Sequence, residues 1–540
     1  MAAMRGAVLT LLLAAVTTVA CTDGAGTGAE PDAIGATDGV AVSEPVPRRP
    51  VAGGTVRVRA PAEPASLNPL AALEDDAAAL VTHPVLAPLW RTGPDGAAQL
   101  WLLAAEPEAT VDEDGTPTVV YEVRDDAVWS DGEPIDGRDV LFTLQTCQAL
   151  APGERGGRQC GAVDTAASHA DGRRATVVFT RPVGTWRALL TDLPVLPEHL
   201  LRGRDVRDVW LRTLPVSSGP FRFASWTPGE RIVLVPNDTW WGERPPLDRI
   251  EVVFDGVDGI SDLLDGMIDV ATVDASVANL ERARATPRLR IAVGTGTTVE
   301  ALDFNVASPR VGRAAVRRAV VAALDTQVLV DEVVGPIVPA ARPRRQLLVG
   351  DADAPPAATE PPDAGPGDLG RVGCRKDADG IAVCDGAPMR LRLAVADDAW
   401  RHGLVAEYVT SQLAGIGVAV VAADDEASWD LRVDTIDAAD PLTMGRRWRC
   451  DSVANEQAYC NPALDDLLDR ASRLAPGEER DALLAEAELM LARDRPTFPL
   501  YPVPHMLAYR SVVRGPAINS GLSGVTWNAE KWARTAGAPD

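Results

Sequence analysis

Residues 215–254 read PVSSGPFRFASWTPGERIVLVPNDTWWGERPPLDRIEVVF, and this stretch constrains the chain most tightly. Phe221 to Trp226 alternates aromatic with small or polar residues, and Arg231 to Pro236 is β-branched, so both segments read as strands. Between them, Thr227-Pro228-Gly229-Glu230 is turn chemistry: proline presets φ and glycine tolerates its positive values. A loop carrying Trp240-Trp241 follows, then an apolar strand from Ile250 to Phe254. No catalytic motif lies within the stretch.

With 540 residues the chain exceeds single-domain size, so two or more lobes with substantial cores are expected. An apolar fraction of 46% fits a globular protein. The formal net charge of −25 argues against nucleic acid or an anionic bilayer surface as partner. Enzyme fingerprints are absent: no G-x-S-x-G, H-E-x-x-H, P-loop or dinucleotide motif occurs, and no cofactor is expected. Acidic pairs such as Asp125-Asp126 carry no specificity in so acidic a chain, which leaves a secreted hydrolase as the alternative class.

Three further segments carry a pattern. Residues 121–139, YEVRDDAVWSDGEPIDGRD, read as strand, tight turn at Asp131-Gly132 and a helix over Val140 to Leu150 with Asp139 as its N-cap. Residues 311–334 place Arg317-Arg318, Ala319, Ala323 and Leu324-Asp325 at helical spacing. In residues 459–500, Asn461-Pro462 cap a helix whose apolar stripe is Leu464, Leu467, Leu468 and Ala471. Together with Ser217-Ser218-Gly219-Pro220-Phe221, Trp226, Pro228-Gly229, Asn237, Trp240-Trp241 and Leu247-Asp248-Arg249-Ile250, these segments resemble the extracytoplasmic solute-binding proteins of ABC importers. The particular likeness is to family 5, which binds peptides, dipeptides or nickel. The resemblance runs from about Gly53 to Trp532.

That resemblance implies an α/β, two-lobed periplasmic-binding-protein-like fold (type II, cluster C), with an extra subdomain on lobe I and a hinged interlobe cleft. Lobe I is expected over 53–84, 201–300 and 499–540, its extra subdomain over 85–200 and lobe II over 301–498. Val81 to Leu89 resembles a family helix. Strands are expected at Thr55 to Ala60, Val299 to Val306, Met389 to Val395, Val418 to Val421, around Trp429-Asp430-Leu431 and at Tyr501 to Arg510. A helix is expected at Trp527 to Trp532. Arg5 followed by an apolar run to Ala20 reads as a secretory signal. Its end at Cys21 resembles a bacterial lipoprotein signal, although Thr18 departs from the usual aliphatic residue. The signal covers 1–21, a Gly/Ala/Thr/Asp/Pro-rich flexible linker covers 22–52, and Cys21 is the expected lipid anchor on the outer face of the cell membrane.

The chain has seven Cys. Apart from Cys21 they fall as near neighbours, Cys147 with Cys160, Cys374 with Cys384 and Cys450 with Cys460. Disulfides persist outside the membrane, so neighbour pairing is the simplest reading. Metal binding is the rival, but no C-x₂-C spacing occurs and His83, His169, His199, His402 and His505 are scattered, so no metal site is expected.

Peptide capture without sequence preference requires main-chain partners, a carboxylate for the terminal ammonium and roomy pockets. The family resemblance nominates Asp437, in Asp437-Ala438-Ala439-Asp440-Pro441, as that carboxylate; a loop-turn role is the alternative. Asp434 stands where the family has Trp. The other candidate ligand residues are Ser66, Asn68, His83, Ser217, Ser218, Gly219, Arg446, Trp448 and Tyr459, with core packing the alternative for the aromatic ones. The implied partners are a peptide or another small solute, such as an oligosaccharide, metal chelate, haem or glycolipid, and the permease subunits; the chain is expected to act as a monomer.

Overall fold

The computed structural model describes residues 50–70, 75–93, 97–113, 116–150, 165–180, 186, 190–254, 259–349, 369–395, 400–423, 428–438, 440–474, 477–519 and 524–535. The expected signal, Cys21, nearly all of the linker, Cys160 and most of the Pro/Gly/Asp-rich stretch 355–370 lie outside the described residues.

Ten strands form one continuous mixed sheet. In chain order they are β1 (Thr55–Arg59), β2 (Phe221–Thr227), β3 (Arg231–Pro236), β4 (Arg249–Val253), β5 (Val270–Val273), β6 (Leu289–Phe304), β7 (Arg390–Val395), β8 (Ala419–Ala422), β9 (Leu431–Asp437) and β10 (Thr497–Arg510). Across the sheet the order is β8-β7-β9-β6-β10-β5-β1-β4-β3-β2. The expected hairpin is present: Arg231 pairs with Thr227 and Pro236 with Phe221. Its turn depends on Gly229 at φ +73°, which an L side chain adopts only with strain.

The sheet has two halves, β5-β1-β4-β3-β2 on one side and β9-β7-β8 on the other, and β6 and β10 belong to both. These two strands begin earlier than sequence patterning indicates. In β6 the run 294–298, GTGTT, reads as loop chemistry, and in β10 prolines stand at 499, 502 and 504. Pairing overrides both signals. Proline cannot donate to a ladder, and the antiparallel register slips at these residues: between Thr295↔Pro504 and Val299↔Pro502, and between Glu300↔Tyr501 and Ala301↔Pro499. The crossing between the halves is therefore a pair of strands weakened at defined places.

Several helices flank the sheets, and five of them frame the regions that matter for the site. Helix α1 spans Asp76–Val85, earlier than the expected Val81 to Leu89, because the Asp75 side chain accepts from the Ala77 and Ala78 amides and Pro84 falls in its last turn. Helix α2 spans Gly137–Gln148. Its N-cap is Asp136, not Asp139; Asp139 is the third residue in and bonds back to the Asp136 amide, a capping box. Helices α3 (Trp400–Gly415), α4 (Pro462–Arg473) and α5 (Glu478–Asp494) cover the other half. The predicted stripe Leu464, Leu467, Leu468 and Ala471 is buried.

Helix α2 packs on a separate four-stranded sheet ordered Glu108–Val111, Pro117–Glu122, Arg174–Phe179, Thr165–Asp171. The expected C-terminal helix is a 3₁₀ segment, Val525–Lys531, leading into strand Ala533–Thr535, which pairs with Pro50–Val51.

Candidate functional site

The loop at 217–219 is tied to the end of α1. The amides of Ser218 and Gly219 donate to Val85 O at 3.0 and 2.9 Å, the Ser217 hydroxyl lies 2.7 Å from the same oxygen, and the Ala87 amide donates to Ser218 Oγ at 2.8 Å. Gly219 permits that approach, since a Cβ there would sit 2.5 Å from Pro84 O. Both serines are fully buried. The same neighbourhood holds His83, which with Pro84, Pro88, Arg91, Trp101, Pro220, Thr526, Trp527 and Glu530 lines a hollow. Burial lowers the His83 imidazole from its ordinary range, against a smaller opposing pull from Asp192. Arg91 is held there by Glu530 at 3.1 Å and lies 3.5 Å from the centre of the Trp101 ring.

Ser66 and Asn68 belong to a second neighbourhood. Asn68 Nδ2 donates to Val206 O at 2.5 Å and Val209 O at 3.0 Å, while Ser66 Oγ accepts from the Asn68 amide. These contacts pin residues 66–70 to residues 206–211. Asp131 is a turn residue: its Oδ1 accepts from the Glu133 amide and its Oδ2 lies 2.9 Å from His199 Nε2.

At the crossing of the two halves, β9 pairs with β6 so that Asp437 faces Thr298, Thr435 faces Glu300 and Arg432 faces Asp303. Directly opposed residues share a face of the sheet, and the face alternates along each strand. One face therefore carries Thr298, Glu300, Thr435 and Asp437. Glu300 is fully buried, with Arg401 Nε donating to it at 2.8 Å and His402 Nε2 2.6 Å away. Arg401 also donates to Thr435 Oγ1 at 2.9 Å. Towards the end of β9 the row reaches solvent: Asp437 is exposed and accepts from Thr297 Oγ1 at 3.1 Å.

The other face carries Asp303 and Asp434. Asp303, also fully buried, accepts from Thr497 Oγ1 at 2.6 Å, Gln457 Nε2 at 2.8 Å, Arg447 Nη2 at 2.8 Å and Arg432 Nη2 at 3.3 Å. Burial alone would lower the Arg447 guanidinium, but the Asp303 and Asp434 carboxylates hold it above its ordinary value. Asp434, expected at the position of a family Trp, is matched by Arg447 at 2.9 Å.

Trp448 and Tyr459 lie on this second face, in the core with α4 and α5, rather than beside Asp437. The Trp448 indole donates to Thr497 Oγ1 at 3.0 Å, and the Tyr459 hydroxyl, its ionisation suppressed by burial, donates to Asp494 at 2.8 Å. Arg446 is half-buried, where the short helix Pro441–Gly445 meets the turn Arg446–Trp448. Asp440 caps that short helix by accepting from the Thr443 amide. The candidate residues therefore fall into separate neighbourhoods, with Asp437 alone exposed at the crossing.

Two disulfides are present, Cys374–Cys384 and Cys450–Cys460. The third predicted pair involves Cys160, outside the described residues. None of the described helices is long and apolar enough to cross a membrane.

Residues 93–445 match the family described as bacterial extracellular solute-binding proteins, family 5 Middle. The chain belongs to this family. Among its relatives, Protein XP55 of Streptomyces lividans is 28% identical over 420 residues, covering 73% of this chain and 74% of that one. An uncharacterised lipoprotein of Mycobacterium tuberculosis is 25% identical, covering 78% of this chain and 83% of that one. Among solved structures, the periplasmic EDTA-binding protein EppA superposes with TM-score 0.80 at 22% identity, covering 91% of this chain and 98% of that one. The oligopeptide-binding protein AppA from Bacillus subtilis, in complex with a nonapeptide, gives TM-score 0.70 at 20% identity, covering 90% and 100%. The two-halved sheet joined by β6 and β10 is thus the two-lobed periplasmic-binding-protein fold, and this family 5 chain is a solute-binding protein of the ABC-importer class.

Sequence reading misses Thr298, Glu300, Arg401, His402 and His505 as one neighbourhood. Period-two alternation in the strand expected at Val299 to Val306 already sets Glu300 on the inward face. Nothing in the sequence signals that helix α3 delivers Arg401 and His402 to it.

Proposed function

We propose that this chain captures short peptides in the cleft between its lobes and hands them, chemically unaltered, to a membrane permease, tethered outside the cell by a lipid on Cys21. The proposed jaws are 53–84, 201–300 and 499–540 against 301–498. One observation carries the reading: an exposed carboxylate, Asp437, braced by Thr297 at the strand crossing. A carboxylate so placed suits a ligand's terminal ammonium, by a charge-assisted hydrogen bond. The same charge disfavours polyanions. For that reason the nonapeptide bound by AppA is a better guide to the solute than the EDTA bound by EppA.

The test is thermal unfolding of the mature protein with di- to octapeptides. A ligand present at one hundred times its Kd adds about 2.7 kcal/mol of stability, so the melting temperature rises with the peptides that bind, and these are recovered intact. A flat melting temperature across the series overturns the peptide assignment, and recovery of cleaved peptide overturns the non-enzymatic role. Cys21→Ser releases the protein from membranes; retention in the membrane fraction overturns the anchor.

A further inference from the structure

Between Thr295 and Val299 the β6–β10 ladder slips past Pro504 and Pro502, and the segment it leaves out of register contains Thr297 and Thr298. Both threonines are used at the crossing. Thr297 Oγ1 donates to Asp437 Oδ1 at 3.1 Å. Thr298 lies directly across from Asp437 in the β6–β9 ladder, which sets their Cβ atoms about 4.5–5.5 Å apart on one face. The Thr298 hydroxyl is in turn 2.9 Å from His505 Nε2. A row across three adjacent strands, Asp437 of β9, Thr298 of β6 and His505 of β10, thus leads from an exposed carboxylate to a half-buried imidazole.

We infer that His505 is a further ligand-contacting residue that sets charge specificity: neutral, it admits a cationic amino terminus at Asp437; protonated, it repels one. The inference rests on the peptide reading above and deepens it. The charges around the ring come from each packed element. Helix α3 supplies Arg401, whose charge acts on the ring, and His402, both engaged by Glu300 of β6; further along, β10 carries Tyr501, kept neutral by burial, and β9 carries Asp437. Desolvation, followed by the Arg401 charge, holds the His505 imidazole below its ordinary range, so the ring is neutral near pH 7. Acidification then places an imidazolium one strand beyond Thr298 from the carboxylate that would hold the ammonium, and like charges brought to one row oppose binding.

The experiment uses the whole mature chain and two probes, trialanine and N-acetyl-trialanine, with binding measured by calorimetry from about pH 7.5 to about pH 5. The expected wild-type result is an affinity for trialanine that falls about tenfold or more across that range. His505→Gln flattens the profile, and the acetylated probe binds weakly throughout. A wild-type profile in His505→Gln overturns the inference. A second measurement needs no ligand: the His505 ring protons are titrated by NMR in the wild type and in Asp437→Asn. Loss of the carboxylate lowers the imidazole midpoint if the two groups are coupled through Thr298, and an unmoved midpoint overturns the proposal. If neither trialanine nor longer peptides bind the wild type at any pH, the peptide reading falls, while the NMR titration still decides whether His505 and Asp437 form one site.

Discussion

The two faces of strand β6 carry two fully buried carboxylates, three residues apart, with opposite surroundings. Asp303 is surrounded by donors from four directions, namely Thr497, Gln457, Arg432 and Arg447, and the core containing Trp448 and Tyr459 closes over it. Glu300 begins a polar row that climbs through Thr435 and Thr298 to the exposed Asp437. A buried charge is tolerated when its lone pairs are filled, and such a network fixes geometry. The carboxylate at the end of the row, Asp437, is exposed and accepts from Thr297. Burial alone does not separate these roles; the destination of the hydrogen bonds does.

The sharpest way to break the comparison is Asp303→Ala. Removing that acceptor strands the Arg432 and Arg447 guanidiniums on a buried face, and loss of one partner of a buried pair costs about 3–5 kcal/mol. Asp434 and Glu456 still engage these arginines, so the low end of that range is expected. Urea unfolding measures it, and a midpoint unchanged from wild type refutes the structural role.

Next in size is the paired replacement Cys450→Ser with Cys460→Ser. The bridge closes a loop with sequence separation 10, and that loop presents Gln457 to Asp303 and Glu456 to Arg432. Chain-entropy arithmetic for so short a loop gives about 3 kcal/mol. Peptide affinity should change little, because the loop serves the closed face. Equal loss of stability and binding would show that the two faces are not separate.

Asp437→Ala is the converse. Affinity for trialanine should fall more than about tenfold, or about 1.4 kcal/mol, whereas stability should shift by no more than about 0.5 kcal/mol, as for an exposed substitution. Calorimetry and urea unfolding of the one variant supply both numbers, and preserved affinity moves the site elsewhere.

What can be read in the sequence follows the same division. The hairpin at 221–236 and the amphipathic α4 are legible because local chemistry and tertiary context agree there. The long pairing of β6 with β10 is not, because glycine, threonine and proline speak locally for loops and only the partner strand makes them sheet. Asp139 is misread as a cap for a related reason: Asp136 and Asp139 are both good N-cap residues, and the capping box uses both. Asp437 is nominated through family resemblance alone. Thr297, which bonds it, and Thr298, which faces it, come from β6, and His505, which meets Thr298, comes from β10; sequence spacing cannot bring them together.

The smallest effect concerns acid. His83 and His505 both have imidazoles lowered by burial, so between their folded values and the ordinary 6.5 the unfolded chain binds more protons. Stability from these two groups is therefore complete above about pH 6.5 and declines as pH falls. Asp139 acts in the opposite sense. Burial raises its carboxyl from 3.8 to about 6 despite bonds from Trp129 and the Asp136 amide, so below about pH 6 the folded state takes up protons first and part of the loss is offset. The two signs blur a single melting curve against pH, whereas a difference between curves separates them. His505→Gln removes one imidazole and leaves Asp139 untouched, and its stability should decline less than wild type between about pH 7 and about pH 5.5, by less than about 1 kcal/mol. Coincident curves would mean that His505 titrates as it does in the unfolded chain, and that burial does not hold the ring in its neutral form.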